Sequence, residues 1–529
     1  MRAAALIAVV VLGCGKTKDT STPSSTTPST TPPTTTEPTE PTDTTDTGSP
    51  ATSGCEVLDV SVTDNPDMVL YKTLHIEVDE ASPVTVHCTA ADDPDEAHYV
   101  TSAAEATGHE VSVYGLIADT TYTCEVTPAC ATTPTVVETA TGTLPSLIPA
   151  YTTTRNDALE MSGAYTLFND AEVCSEGPGM DRVVIVDPEG NVRWYHIIPE
   201  DLVVDLDVRY LDGQVYYGGG WGLFDTGAAN PGVTRRLELD GTEVYTRATP
   251  TYGLGFNHHA DQLASGEYLT LTSTYNTASS GAQIFGIAVE VFDPVTETAT
   301  YTWESQGAID AGYLDATPAL DGRLNANSVT WTDDDDGPAM YISEYYSSAI
   351  VRVDRDSGDV TWKLGRDGDF TLLDDEGNVL PDEEWFYGQH DPEFDGNRVL
   401  LHDNGTDRPI AAADRYSRAL ELELDVPART ATVVWSWTEP GWFEPVVGDA
   451  DRLANDNRLI TQGHCDCCWW RGFGNPIGND SSIVEVEPAT GDVVWRVDWP
   501  DEDAAAYRAQ RIDGCDVFAN ARYCDDLTP

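Results

Sequence analysis

Positive charge is what this chain has least of. Its 529 residues hold 28 Lys and Arg against 90 Asp and Glu, a formal net charge of -62. A field of that sign repels phosphate backbones and anionic lipid surfaces, so a nucleic-acid partner is excluded. Long apolar runs are also missing: past the first dozen residues nothing approaches the ~20 apolar residues that a membrane-spanning helix needs. Two metal patterns start and do not finish. Thr332 followed by Asp333 to Asp336 has no Glu at the spacing of an EF-hand loop and reads as a solvated turn. His464-Cys465-Asp466-Cys467-Cys468 has no second pair at zinc spacing, so it reads as disulfide cysteine, a Cys467–Cys468 bond among the pairings. No metal and no cofactor is expected.

What is present divides the chain. Residues 1–14 carry one positive charge and then a short apolar run, which predicts an export signal. Their end, Val11-Leu12-Gly13-Cys14, resembles the lipobox of bacterial lipoproteins. That resemblance implies a lipidated Cys14 and a lipid anchor at a bacterial membrane or cell surface; an ordinary cleaved signal is the alternative. Residues 15–54 are Thr, Pro, Ser and acid with almost nothing apolar, too little to order a segment. They form a tether that reaches on the order of 100 Å at about 3 Å per residue. Of 11 Cys, ten remain once Cys14 is set aside. An even number in an oxidising compartment predicts disulfides, with the pairing open.

Residues 55–146 alternate apolar and polar in short runs, Val57–Val62, Leu74–Val78, Val84–Cys88 and Val111–Tyr114, between Asp, Pro and Gly turns. These are half-buried strands of a small β-sandwich. The phrase Gly115-Leu-Ile-Ala-Asp-Thr-Thr-Tyr122-Thr-Cys124 resembles the tyrosine-corner segment of fibronectin type III domains. A spacer role is expected of it.

Residues 147–505 hold a ladder of similar phrases. Asp187-Pro-Glu-Gly-Asn-Val-Arg-Trp194, Asp293 to Trp303, Asp354 to Trp362 and Glu487-Pro-Ala-Thr-Gly-Asp-Val-Val-Trp495 are clear copies; Asp240 to Tyr245 and the stretch closing on Trp435 are looser ones. Each is a strand, a turn and a strand closing on an aromatic, repeated at roughly 60 residues, which is how a β-propeller is written in sequence. Six copies predict six blades. The fold class is therefore all-β, a six-bladed β-propeller preceded by a small β-sandwich. Residues 506–529, with Cys515 and Cys524, read as a polar tail pinning the last turn.

In a propeller, equivalent positions of successive blades converge on the central channel. Just upstream of the turn phrases stand Asn257-His258-His259, Asn325-Ala-Asn327 and Gln389-His390-Asp391. The chain has only 10 His, so this placement is informative, and imidazole is the useful nucleophile or proton carrier near neutral pH. These segments, with Gly163-Ala-Tyr-Thr-Leu-Phe168 and Leu401-His-Asp-Asn404-Gly-Thr-Asp-Arg408, resemble the bacterial arylsulfate sulfotransferases in order along the chain.

The resemblance implies that His390 attacks the sulfur of an aryl sulfate and forms a sulfohistidine, which a second phenol resolves without a nucleotide sulfate donor. His258 or His259 contacts the sulfate or protonates the leaving phenolate, and Asn327 donates to the sulfuryl oxygens. The partners implied are small phenols and aryl sulfates. Two positions depart from the family: Asn325 stands where it has a histidine, and Tyr345 where it has an arginine, with Glu344 beside it adding a charge of the wrong sign. Both substituted residues are expected in the substrate site. Losing such a cation costs about 3–4 kcal/mol of barrier. Asp403 and Arg408 are expected to brace a loop together with Asn404. The alternatives are a catalytically degenerate, tethered binding propeller and, from the phrase Ser357 to Trp362, a quinoprotein-like dehydrogenase, a family that usually has eight blades.

Overall fold

The computed structural model describes residues 54–172, 181–198, 206–219, 232–248, 253–315, 323–463, 481–499, 504–524 and 527. The expectations for Cys14, Cys174, His464, Cys465, Cys467, Cys468 and the tether lie outside the described residues.

The first sheet has strands Val57–Asp64, Lys72–Ala90, Ala97–Val113, Thr121–Pro128 and Thr135–Ala140. The separate runs read at 74–78 and 84–88 are one long strand. Its two halves change partner where the ladder slips between Glu77, Ser82 and Val84. Pro83 sits at that slip, and a residue with no N–H belongs where a ladder breaks. The first half pairs with Val57–Asp64 and the second with Thr121–Pro128. Leu74 and Ile76 from one half and Val84 and Val86 from the other fill one core with Val111 and Tyr122. Cys88–Cys124 joins directly opposed strand residues, and Cys55–Cys130 ties the ends. The Tyr122 hydroxyl accepts from Ile117 N at 2.9 Å.

Among the described residues six further sheets follow. Their inner strands include Leu206–Leu211, Phe256–Gln262, Ala326–Asp334, His390–Asp395 and Asp449–Arg452, each packed on the next. The ring closes at both chain ends. Thr152–Arg155 pairs on the outside of Val493–Asp498 in the last sheet. Ala504–Ala505 and Ala509–Ile512 pair on the inner side of Tyr165–Glu172 in the first. Part of the segment read as a tail is thus the innermost strand of the first sheet, and Ala509–Ile512 touches the inner part of the second and last sheets. In the remaining tail Cys515–Cys524 closes a loop within the tail itself, and Asn520 Nδ2 donates to Glu96 Oε1 at 3.0 Å.

The repeated phrases have a mechanical meaning. Asp187 takes the N–H groups of Glu189 (3.0 Å) and Asn191 (2.8 Å), closing a turn in which Gly190 has φ of +87°, a value that favours glycine. The closing tryptophans staple sheet to sheet. Trp194 Nε1 donates to Leu239 O at 2.9 Å, Trp303 to Gly358 O at 2.9 Å and Trp435 to Pro488 O at 3.0 Å, each in the turn phrase of the next sheet. Trp495 donates to Pro188 O at 2.9 Å and so joins the last sheet to the first. All were expected as core; Trp435 is only half-buried.

Candidate active site

His390 begins its inner strand, and local backbone needs put it there. Gly388 precedes it with φ of +63°, and a Cβ would meet Thr406 Oγ1 and Tyr345 Cε2 at 2.9 Å each. Gln389 Nε2 donates to Ala349 O (2.9 Å) and Ser343 Oγ (3.0 Å), fastening the strand start to the neighbouring sheet. Asp391 and His258 hold φ of 39° and 46°, left-handed values uncommon for such residues and typical of functional sites.

The His390 Nδ1 lies 2.7 Å from Asn404 Oδ1. Asn404 Nδ2 donates to Glu444 O at 2.8 Å and Val447 O at 2.7 Å, which fixes the amide with its oxygen toward the imidazole. An oxygen can only accept, so Nδ1 carries the proton and Nε2 the lone pair. The ring is 3 % exposed. Burial, with the charges of His258 and Arg508 added and the Asn404 bond opposing, pushes its pKa down to about 3, so it is neutral and nucleophilic around pH 7.

Beneath it, the Asp403 carboxylate accepts from Tyr387 N (2.9 Å), Gly405 N (3.1 Å), Arg408 Nη2 (2.5 Å) and Arg418 Nε (2.8 Å). This network braces the loop that carries Asn404.

The other sequence candidates gather round the same axis. Asn327, fully buried, donates through Nδ2 to Gln389 O at 2.6 Å and so holds the peptide that leads into His390. Asn325 is half-buried, and its N–H goes to Glu344 Oε1 at 2.9 Å. Tyr345 turns its ring to His390 at 5.6 Å between centroids, and its hydroxyl donates to Pro445 O at 2.7 Å. Glu344 is no loose negative charge. Its carboxylate takes N–H groups from Asn325, Tyr346 (3.2 Å) and Ser347 (2.6 Å) and the Ser347 hydroxyl.

His259 is 5 % exposed, and burial lowers its pKa even though Asp207 Oδ2 stands 3.4 Å from Nδ1. His258 stacks on Tyr507, 5.8 Å between centroids at 20°, while the His390 ring meets Tyr507 edge-on at 5.9 Å.

Sequence reasoning missed Tyr507 and Arg508. Both follow Ala504–Ala505, and Asn169 Oδ1 accepts their N–H groups at 2.9 and 3.2 Å. Arg508 is 1 % exposed. It donates to Asp207 Oδ2 (2.9 Å), His259 Nδ1 (2.9 Å) and Asn327 O (2.8 Å), and pairs with Asp391 Oδ1 at 3.1 Å. A guanidinium absent at position 345 thus reaches the axis from the far end of the chain. The one available signal was a count: the first ladder unit lacks an inner strand of its own.

Asp391, Asp449 and Asp451 bring oxygens within 4.8 Å of one another, a possible cation cradle among the described residues. Arg508 and Arg209 already neutralise Asp391, while burial and mutual repulsion raise Asp449 and Asp451 toward their protonated forms.

An arylsulfotransferase (ASST) family profile matches residues 151–508. The chain belongs to the arylsulfotransferase family. The match ends on Arg508, immediately before strand Ala509–Ile512. No curated protein matches the chain. Among solved structures, a hypothetical selenium-binding protein from Sulfolobus tokodaii is similar at 13% identity, covering 82% of this chain and 93% of its own, with a TM-score of 0.33. Kuenenia stuttgartiensis hydrazine synthase follows at 12% identity, 66% and 79% coverage and a TM-score of 0.28. The Myceliophteria thermophila Cps50 (Swd1) β-propeller domain has 9% identity, 68% and 99% coverage and a TM-score of 0.25. Likeness at that level says nothing of ligands or chemistry. As an arylsulfotransferase, the protein is expected to act on phenols and their sulfate esters.

Proposed function

We propose that this arylsulfotransferase moves a sulfuryl group from a phenolic sulfate ester to a phenolic acceptor through a sulfohistidine at His390, with no nucleotide sulfate donor. The Nε2 lone pair forms the N–S bond as the ester S–O bond breaks, and that bond's electrons leave on the phenolate oxygen. His258, beside His390 on the Tyr507 ring, gives the leaving oxygen its proton. The acceptor phenol then attacks sulfur and gives its proton to His258, which restores it, and the N–S electrons return to Nε2.

The observation that carries this reading is the Asn404 clamp, which leaves Nε2 bare and fixes the proton on Nδ1. As Nε2 bonds to sulfur the ring becomes positive, and the hydrogen bond from Nδ1 to Asn404 strengthens. That bond then stabilises the transition state more than the ground state.

The test uses 4-nitrophenyl sulfate with and without phenol, wild type beside His390→Ala. Nitrophenol release that needs the acceptor and vanishes in the variant supports the reading. Release no greater than the variant's, across several phenols, overturns it in favour of a binding propeller. That second reading draws on Tyr345, whose hydroxyl is spent on Pro445 O where the family resemblance expects an arginine. We also propose that Cys14 is lipidated and holds the protein at a bacterial membrane or surface, with a fibronectin type III-like sandwich between tether and propeller. A Cys14→Ser protein that stays with the membrane fraction refutes the anchor.

A further inference from the structure

Arginine cannot accept a hydrogen bond: it offers five N–H donors and stays protonated. Its Nη1 stands 2.9 Å from His259 Nδ1. That nitrogen must therefore present its lone pair, and the ring proton must sit on Nε2. Asp207 is the competitor. Its Oδ2 lies 3.4 Å from the same Nδ1 and by itself would draw a proton there. Arg508 intervenes by taking that Oδ2 at 2.9 Å. His259 Nε2 is buried and has no hydrogen-bond partner among the described residues.

The charged groups around this imidazole are Asp207 and Arg209 from the second sheet, Asp391 from the fifth and Arg508 from the segment just before Ala509–Ile512. Arg508 also binds Asn327 O, the residue that holds the peptide before His390. One side chain thus ties together the three inner strands that carry His259, Asn327 and His390.

We propose that Arg508 is a positioning residue that holds His259 as a neutral imidazole with its proton on Nε2, a fixed donor for the sulfuryl oxygens. This rests on the sulfuryl-transfer reading above. It also separates the two histidines. A neutral Nε2–H has no proton to give up in the physiological range, so His259 donates a hydrogen bond and does not protonate the leaving phenolate. The cation missing at position 345 acts indirectly, through an imidazole, from the chain terminus.

Removing the guanidinium hands Nδ1 to Asp207. In Arg508→Met the neutral ring carries its proton on Nδ1 and loses the Nε2 donor. Protonation restores that donor, and Asp207 and Asp391, which then share Arg209 alone at 3.4 and 3.8 Å, favour it. The variant therefore gains an ionisation that the wild type lacks. With 4-nitrophenyl sulfate and phenol, kcat of Arg508→Met is expected to fall about 10²-fold at pH 8.5. It should recover to within about tenfold by pH 6, with the ratio to wild type taken at each pH so that substrate ionisation cancels. A loss of the same size at every pH marks a merely structural arginine and overturns the proposal.

A second measurement needs neither the variant's folding nor any turnover. In histidine-¹⁵N-labelled wild type, the signal that disappears in His259→Gln should report a bare Nδ1 and a protonated Nε2 throughout pH 6–8. The opposite tautomer, or an imidazolium at pH 7, overturns the proposal even if transfer activity is found. The expected tautomer in a protein with no transfer activity instead indicts the reaction and leaves the Arg508–His259 arrangement standing.

Discussion

Glu96 offers the most demanding test of how the first sheet is joined to the propeller sheets. It lies just before strand Ala97–Val113 with its side chain fully buried. Oε2 accepts from Arg193 Nη2 at 3.0 Å, and Oε1 takes Arg193 Nη1 and Asn520 Nδ2 (3.0 Å) and lies 2.9 Å from His98 Nε2. Arg193, in the first propeller sheet, also binds Asp187 at 2.7 Å through Nε and Gly115 O at 2.9 Å. Burial by itself would raise the Glu96 pKa; the bonds from His98 and Arg193 overrule it and hold the carboxyl well below the usual range. Removing one partner of a buried ion pair costs about 3–5 kcal/mol, because the other charge stays buried. Arg193 keeps Asp187, so Glu96→Ala should lie near 3 kcal/mol, with Arg193→Met/Glu96→Ala well short of the sum of the single changes. Urea unfolding followed by tryptophan fluorescence measures this. A pKa depressed in the folded state gives stability that is present above the ordinary value of 4.5 and lost as pH falls below it. The penalty at pH 7 should therefore shrink by about 2 kcal/mol at pH 3, at about 1.4 kcal/mol per pH unit. A penalty under about 1 kcal/mol at pH 7, or one independent of pH, refutes the reasoning.

Asn404→Ala removes the acceptor that fixes the His390 tautomer and is expected to lower kcat about 10²–10⁴-fold, by analogy with the loss of a histidine-orienting group elsewhere; a change under fivefold contradicts the clamp. His390 is held at about 3 against an ordinary 6.5, so its contribution to stability is lost as pH falls from 6.5 toward 3. From pH 7 to pH 5 the wild type should lose about 2 kcal/mol more than His390→Gln in urea titrations. Trp495→Phe leaves Pro188 O without its donor and should cost about 1–3 kcal/mol more than Trp362→Phe, whose indole N–H has no hydrogen-bond partner among the described residues. Equal costs would deny the stapling role.

The parts legible in the sequence were those written locally. Turn chemistry and closing aromatics sit within ten residues of each other, so the ladder of strands could be read. The Gln389-His390 and Asp403-Asn404 phrases flank adjacent strands of one sheet, so both were singled out, but Asn404 was read as a loop brace and its bond to His390 was not foreseen. The missing part depends on pairing across the chain. Arg511 is matched with Thr166 in the ladder between Ala509–Ile512 and Tyr165–Glu172. A four-residue strand with no alternation carries no sign of such a partner. Glu344 misled for a related reason: its charge was visible, but the three backbone N–H groups that absorb it are a property of the corner they form.

The net charge sets one further condition on catalysis. An aryl sulfate is an anion approaching a chain of charge -62. Within the axis the acids are compensated: Arg508 and Arg209 hold Asp391, and Asp449 and Asp451 are pushed toward protonation. Over the whole chain 90 acidic residues stand against 28 basic ones, so the donor meets repulsion on approach and compensation only on arrival. Salt shortens the reach of that repulsion from about 30 Å at 0.01 M to about 10 Å at 0.1 M. The donor's kcat/KM should accordingly rise with ionic strength, by about threefold or more between 10 and 300 mM, while the KM for a neutral phenol stays level. Most enzymes that bind anions through exposed cations lose affinity under the same change. A donor kcat/KM that falls with salt would mean that a positive local potential outweighs the surface, and the compensation drawn here at the axis would then be too small.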